Sequence, residues 1–392
     1  EGSHTSAQMV IDKLEGGLCY MGKHNIVKVD MVSGSCSYNR FEFQMSQSLH
    51  MALQLYDEVN FLLIMDHYDD ITIFDLDSEP LAVSYYQVKT SNHTVTIDSV
   101  IKNEWISKLY EQLKRPNDWI VREIGLITNM PISVKFDVPT EKGKTIHRSD
   151  DLIAPKTEFS SLYQTVQDKI KADISAKCNI PTENIDISKF AHLHTTLTIE
   201  RHRDLVEHEM TNFLYDKYPE IKIDTVKAIY RSIVEILTRQ QSNERIPANA
   251  SFEDVKKYKG FSKGEFKRII DRAILFSIPE IDDVLKYIGI GMRDKESMPV
   301  GWAYSRIISD SGKRGNESFS ALFRNTIEKI RINPYKGIGS PWEYAHEIEQ
   351  EVIKNDPMLC VPYTDDYISV LVICLMINIS RAQISLSKDS NQ

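Results

Sequence analysis

Between Asn39 and Tyr56 the apolar residues Phe41, Met45, Leu49, Ala52 and Tyr56 recur at helical spacing, which predicts a helix with one core-facing side. Asn39, with Glu42 three residues later, reads as a capping box at its start. Three extended segments follow: Asn60–Met65, Asp70–Phe74 and Leu81–Thr90. Each is bounded by turn-forming residues, among them His67-Tyr68-Asp69 and Asp77-Ser78-Glu79-Pro80. An amphipathic helix is expected near Ile97–Lys114 and a strand near Glu123–Thr128. Helix, three strands, helix, strand is the order of a mixed sheet covered by helices. Segments near Val134–Val138, Thr157–Lys171 and Leu193–Ile199 extend it.

The pattern changes near Pro219–Thr225. From there helical periodicity dominates, at Val226–Gln241, Glu253–Tyr258, Lys263–Phe276, Ile278–Tyr287, Phe319–Ile332, Trp342–Ile353 and Tyr367–Ser385. Ser340-Pro341-Trp342-Glu343 has the cap, first-position proline and third-position glutamate of a helix start. The expected organisation is an α/β mixed-sheet domain over residues 9–222 and an all-α domain over 223–392. Residues 1–8 read as an expression-tag remnant.

The chain has 392 residues, enough for two domains. Five cysteines are scattered with no C-x-x-C pair, which fits a reducing cytoplasm and offers no zinc site. The most apolar run, Tyr367–Ile379, is too short to span a bilayer and reads as a buried helix. A net charge of −9 is unusual for a protein that grips DNA alone, because Lys and Arg must displace counterions from phosphates. Any DNA-binding surface must be local, or a partner must share the grip.

Candidate chemistry centres on Asp70 and on Gln87-Val88-Lys89. Strand side chains alternate, so Gln87 and Lys89 project to one face while Val88 points into the core. Asp70 opens the preceding strand in register with Thr72 and Phe74, which favours it over Asp69. A hairpin joining the two strands brings a carboxylate, an amide oxygen and an ammonium together. Phosphodiester hydrolysis uses such groups: oxygen ligands for Mg²⁺ or Mn²⁺, and a lysine to orient water and stabilise charge at phosphorus.

The segment Arg40–Asn92 resembles the PD-(D/E)xK nuclease domain of the CD-NTase-associated (CBASS-effector-like) nucleases of bacterial anti-phage defence. That domain also occurs in Lamassu systems and beside HerA-like ATPases. The resemblance is carried by Phe41–Gln44 (FEFQ), His67–Phe74 (HYDDITIF) and Tyr85–Thr90 (YYQVKT), and more weakly by Phe190–Leu214 and Lys257–Arg268. It implies a restriction-endonuclease-like fold in which Asp70 is the principal metal carboxylate, Gln87 the third-strand ligand and Lys89 the catalytic lysine. Val88, which has only its main chain to offer, is a further metal ligand. Gln87 stands where the superfamily commonly has glutamate, so another carboxylate is needed. Glu42 on the first helix is the candidate, and capping of Asn39 is its competing role.

Seven basic and two acidic residues lie between Lys256 and Arg272. Lys256, Lys257, Lys259, Lys263, Lys267 and Arg268 are candidate phosphate contacts, with a solvated helical face as the plain alternative. Lys102, Lys108, Lys114 and Arg115 could line a DNA path nearer the site. His192, His194 and His202 lack a third ligand at diagnostic spacing and read as structural. No P-loop, G-x-S-x-G or H-E-x-x-H motif is present.

The expected activity is therefore metal-dependent cleavage of double-stranded DNA with low sequence specificity, in the cytoplasm and without a membrane. The family resemblance implies activation by assembly, as a homo-oligomer and with an SMC-like Lamassu complex or, second, a HerA-like ATPase. A non-catalytic DNA-binding or assembly subunit and an RNase using the same site are the alternatives.

Overall fold

The computed structural model describes residues 33–382, apart from positions 116–117, 140–144, 248, 292–294, 296, 314–315 and 364. Contacts divide the chain into two units, Glu1–Asn39 and Arg40–Gln392. Of the first, only the opening residues of a helix are described, and the expected tag remnant at 1–8 lies outside the described residues.

That helix, α1 (Ser33–Leu55), starts before Asn39, so Asn39 is an interior residue and the capping box expected there does not form. Phe43, Met45, Leu49, Ala52 and Leu53 are buried, whereas Phe41 is 50% exposed. Strands β1 (Phe61–Met65), β2 (Ile71–Asp75) and β3 (Ala82–Lys89) form an antiparallel meander. The short β4 (Val95–Thr96) leads into α2 (Ile97–Lys102), which begins with a capping box made by Thr96 and Ser99. α3 (Trp105–Tyr110) follows. The single helix expected over 97–114 is thus broken, because Glu104 adopts left-handed backbone with φ 60°.

The chain then forms β5 (Ile120–Thr128), the β6 (Ile132–Pro139) and β7 (Thr145–Leu152) hairpin, β8 (Lys156–Glu158), α4 (Gln164–Cys178), β9 (Phe190–His194) and α5 (His202–Lys217). Beyond residue 222 come α6 (Ile223–Gln241), α7 (Phe252–Lys259), β10 (Gly260–Ser262), α8 (Lys263–Leu275), α9 (Ile281–Ile288), α10 (Ser297–Gly312) and α11 (Glu317–Ile332). α12 (Pro341–Asn355), α13 (Pro357–Cys360) and α14 (Asp365–Ala382) complete the described chain. The capping box at Ser340 and Glu343 forms as expected.

The main sheet has the order β10-β1-β2-β3-β5-β9-β8, and β4-β6-β7 make a smaller one. β5 runs parallel to β3 and β9 parallel to β5, giving a mixed sheet. The helical part is not all α, because its β10 pairs antiparallel with β1, Leu63 opposite Phe261.

Alternation sorts the meander between two cores. Leu63, Met65, Ile71, Ile73, Tyr86 and Val88 join a large core shared with α1, α5, α6 and the C-terminal helices. Leu62, Ile64, Phe74, Val83 and Tyr85 face the other way, onto Val255 of α7. Tyr367 to Ile377 of α14 are buried in the large core. Among the described residues no helix is long and apolar enough to cross a membrane.

Candidate active site

β1 and β2 are joined by a tight turn over Asp66–Asp70. Asp66 takes left-handed backbone, φ 50°, and its amide donates to the Asp70 carbonyl at 3.3 Å. Ile71 stands opposite Tyr86 and Thr72 opposite Tyr85, so one further step of register places Asp70 opposite Gln87. β2 starts at Ile71, so Asp70 lies in the turn just ahead of the strand it was expected to open. Carried on by that one step, the alternation puts it on the side of Thr72 and Phe74, facing Tyr85, Gln87 and Lys89 of β3.

The Asp70 carboxylate is fixed from β3. Its Oδ2 accepts from the Val88 amide at 2.7 Å, and Lys89 Nζ lies 3.7 Å from the same oxygen. Lys89 and Asp70 are 27% and 22% exposed, open enough for a substrate and closed enough for charge to act strongly. Gln87 Oε1 is buried without a hydrogen-bond partner among the described residues, as are Thr72 Oγ1 and Asp66 Oδ2. Buried acceptors left without donors are uncommon and ask for an explanation such as a bound ion.

Asp69 has a different task. Its Oδ1 accepts from the Asp70 amide at 2.9 Å and its Oδ2 from Gln112 at 2.8 Å. Gln112 also donates to the Tyr68 carbonyl at 3.0 Å, as does Arg115 at 2.7 Å. Burial, with a smaller contribution from the neighbouring Asp70 charge, pushes the Asp69 carboxyl up to about 6. Asp69 braces the turn, while Asp70 bonds to the Val88 amide of β3. Sequence patterning gave no signal for Gln112 and suggested only a DNA contact for Arg115.

Among the described residues no three His, Cys, Asp or Glu side chains converge to hold a metal ion. A full protein cage is not what Mg²⁺ requires, since it keeps several waters and takes one or two carboxylates. Asp70, the unpartnered oxygen of Gln87 and a main-chain oxygen fit that demand. Glu42, the expected additional carboxylate, is ion-paired with Arg203 of α5.

The basic candidates divide. Lys259 is 5% exposed and donates to the carbonyls of Asp66 at 3.1 Å and Gln241 at 3.3 Å, so its assignment as a phosphate contact is corrected. Lys102 is exposed; Lys108 lies 3.8 Å from Glu104, and Lys267 is paired with Asp271 at 2.6 Å. Lys263 sits over the Tyr56 ring. Lys256, Lys257 and Arg268, joined by Arg239 of α6, line a cleft of about 520 Å³ with Leu62, Tyr258 and Glu265. Leu62 marks this as the face to which alternation assigns Asp70, Gln87 and Lys89. Arg239 escaped the sequence reading because it is distant in the chain and joins the patch only through packing of α6 on α7.

His192 is fully buried and bonded to Thr128 at 2.8 Å, and His202 is bonded to Ser46 at 2.8 Å. His194 Nδ1 lies 3.3 Å from the Ile153 carbonyl. None of the three approaches Asp70 through a bond, in keeping with structural roles.

Residues 32–240 match the protein family described as Cap4, dsDNA endonuclease domain. The chain is similar to the Lamassu protein LmuA of Bacillus cereus (strain VD014), 27% identical over 316 residues that cover 77% of this chain and 83% of that protein. Among solved structures it is similar to the Acinetobacter baumannii Cap4 SAVED/CARF-domain containing receptor with the cyclic trinucleotide 2'3'3'-cAAA. The identity is 13% and the TM-score 0.37, over 73% of this chain and 64% of that one. The corresponding Moraxella osloensis receptor gives 13% and 0.36, over 73% and 66%. The chain therefore spans just under two thirds of the length of these two receptors.

Proposed function

Since this chain belongs to the Cap4 dsDNA endonuclease domain family, we propose that it is a defence-system endonuclease that hydrolyses double-stranded DNA at Asp70, Gln87 and Lys89, in a PD-(D/E)xK-type fold. The observation that carries the proposal is the Asp70 carboxylate held by the Val88 amide and Lys89 beside an unpartnered Gln87 oxygen.

Asp70, Gln87 through Oε1 and Val88 through its main chain would hold Mg²⁺ or Mn²⁺, with Glu42 as a further carboxylate if it leaves Arg203. Such an ion supplies positive charge at a phosphate oxygen and makes a water more acidic. The chain's own groups do the rest. The Val88 amide fixes one Asp70 oxygen and leaves the carboxylate oriented before substrate arrives. Lys89 is within reach of the same carboxylate and donates hydrogen bonds to the attacking water and to the phosphoryl oxygens as charge builds there. Hydrolysis breaks one P–O ester bond, and the proton lost by the water ends on solvent or the leaving oxygen.

The basic cleft of Arg239, Lys256, Lys257 and Arg268 would hold the DNA backbone, with Lys263, Lys267, Lys102 and Lys108 as further proposed phosphate contacts. Phosphate contacts of this kind carry no base readout, which is why low sequence specificity is expected. The relative in Bacillus cereus is a Lamassu protein, and by that likeness the partners are an SMC-like Lamassu complex, with a HerA-like ATPase as the second choice. An unrestrained DNase would harm its host, so assembly with partners, and of this chain with itself, is proposed as the trigger, in the cytoplasm.

The test is digestion of plasmid, linear DNA and matched RNA with Mg²⁺ or Mn²⁺, parent beside Lys89→Ala. Cleavage of DNA by the parent and its loss in Lys89→Ala, with unchanged thermal unfolding, is the expected result. Equal cleavage by both removes Lys89 from the site. The neutral Gln87 favours a second reading, a non-catalytic DNA-binding subunit. That reading predicts DNA binding and no cleavage by the parent even with partner proteins added. Preferential cleavage of RNA would identify an RNase.

A further inference from the structure

Lys259 ends α7, immediately before β10, and its ammonium is buried with two main-chain carbonyls as its hydrogen-bond acceptors. No carboxylate lies within ion-pair distance of it among the described residues. A buried ammonium in that state is costly compared with an apolar chain of the same length. What it holds is informative. One acceptor is the carbonyl of Asp66, the left-handed residue of the β1–β2 turn. The Asp66 amide in turn donates to the Asp70 carbonyl. The other acceptor is the carbonyl of Gln241, the last residue of α6. The Gln241 side chain reaches α1, donating to the Phe41 carbonyl at 3.4 Å and Gln44 Oε1 at 3.3 Å.

A continuous set of hydrogen bonds thus runs from α1 and the end of α6, through Lys259, to the turn that carries Asp70. We propose that Lys259 is a positioning residue for Asp70, through which the part of the chain beyond residue 222 sets the competence of the catalytic hairpin. The proposal rests on the reading of Asp70 as the metal-binding carboxylate. It also links Phe41 and Gln44 of α1 to the turn, through Gln241. Nothing in Lys259 touches the substrate. It acts by holding the Asp66 carbonyl, and with it the direction in which Asp70 leaves the turn.

The primary test is amide hydrogen exchange on the full chain, without metal or DNA, comparing the parent with Lys259→Met. That substitution removes the ammonium and keeps a side chain of similar length. The amide of Val88 reports directly on Asp70, because Asp70 Oδ2 is its acceptor. Faster exchange at Val88 and across Asp66–Thr72, with β5 and β9 unchanged, is expected. Parent-like exchange at both places overturns the proposal, and so does uniform acceleration across the sheet, which marks a merely structural lysine. If Lys259→Met does not fold, Lys259→Gln, which keeps an amide donor, is read by the same criteria.

Titration of Mn²⁺ into the DNA-free protein by calorimetry separates this idea from the one beneath it. Removing an outer-shell partner weakens metal binding roughly 10–100-fold, and that loss is expected for Lys259→Met. Asp70→Asn should abolish binding. If Mn²⁺ binding in the parent does not depend on Asp70, the site reading fails, while the exchange result still decides whether Lys259 positions the turn.

Discussion

His192 is fully buried on β9, and its two ring nitrogens live in different surroundings. Thr128 Oγ1 donates to the Met130 carbonyl at 2.6 Å, so toward His192 it can only accept, and Nε2 carries the proton. Nδ1 is buried with no partner among the described residues. Charging the ring would place an N–H there with nothing to receive it, and burial accordingly lowers the His192 pKa to about 4. A histidine so depressed contributes its full stability above its unfolded pKa, near 6.5, and loses it as pH falls toward 4. The loss is on the order of 3 kcal/mol across that window. His192→Gln should flatten that loss, measured by urea unfolding at pH 7 and pH 5, and equal losses in parent and variant would contradict it. At this scale the sequence was legible where chemistry follows a period. Asp70, Gln87 and Lys89 fall on matching faces because strands alternate every two residues. Lys259 was not legible, since lysine ordinarily marks solvent and only its surroundings show that it is buried. Glu42, expected as an additional metal carboxylate, is instead paired with Arg203, a partner too far along the chain for any local pattern to reveal.

Element boundaries were legible where a cap fixes them, as at Ser340, and less so elsewhere: the strand expected over Asp70–Phe74 runs from Ile71 to Asp75. The helix expected over 97–114 broke at Glu104, a residue type with no preference for left-handed backbone. Helix α1 buries Phe43 in place of Phe41 because the Phe43 ring packs edge-on against His202, 5.5 Å between centroids. β10 has only three residues, too few for any periodicity to register. What makes β10 possible is Gly260. A Cβ there would collide with the Lys256 carbonyl of the preceding helix and lie 2.7 Å from Leu62 Cδ1. The obstruction is backbone, so the neighbours cannot simply rotate away. Gly260→Ala should cost about 1–3 kcal/mol, the range for overpacking, and should lower the urea midpoint without changing the m-value. An unchanged midpoint would show that helix and strand can separate at no cost.

For the whole molecule the central tension is between an acidic chain and a polyanionic substrate. A net charge of −9 repels DNA at long range, so on the proposed reading the attraction is local, at the cleft where Arg239, Lys256, Lys257 and Arg268 converge. Binding carried by a few phosphate contacts falls steeply with salt, and each lost contact lowers the slope of log K against log salt by about 1. Arg268→Glu, in an Asp70→Asn background that cannot cut, should show that change with no shift in base preference. A slope equal to that of Asp70→Asn alone would move the DNA elsewhere on the surface. The composition signalled this problem of charge, but the cleft that answers it is assembled from α6, α7 and α8 and is a product of tertiary packing. The pairing of Leu62 with Ser262 joins positions 200 residues apart in the chain. A ribosome adds that length in roughly 10–40 s at ordinary rates of synthesis. During that interval Asp70, Gln87 and Lys89 have already been made, while the outer edge of β1 lacks its neighbour and the turn lacks its lysine. The growing chain therefore carries these three residues before the strand and the lysine that pack beside their turn exist.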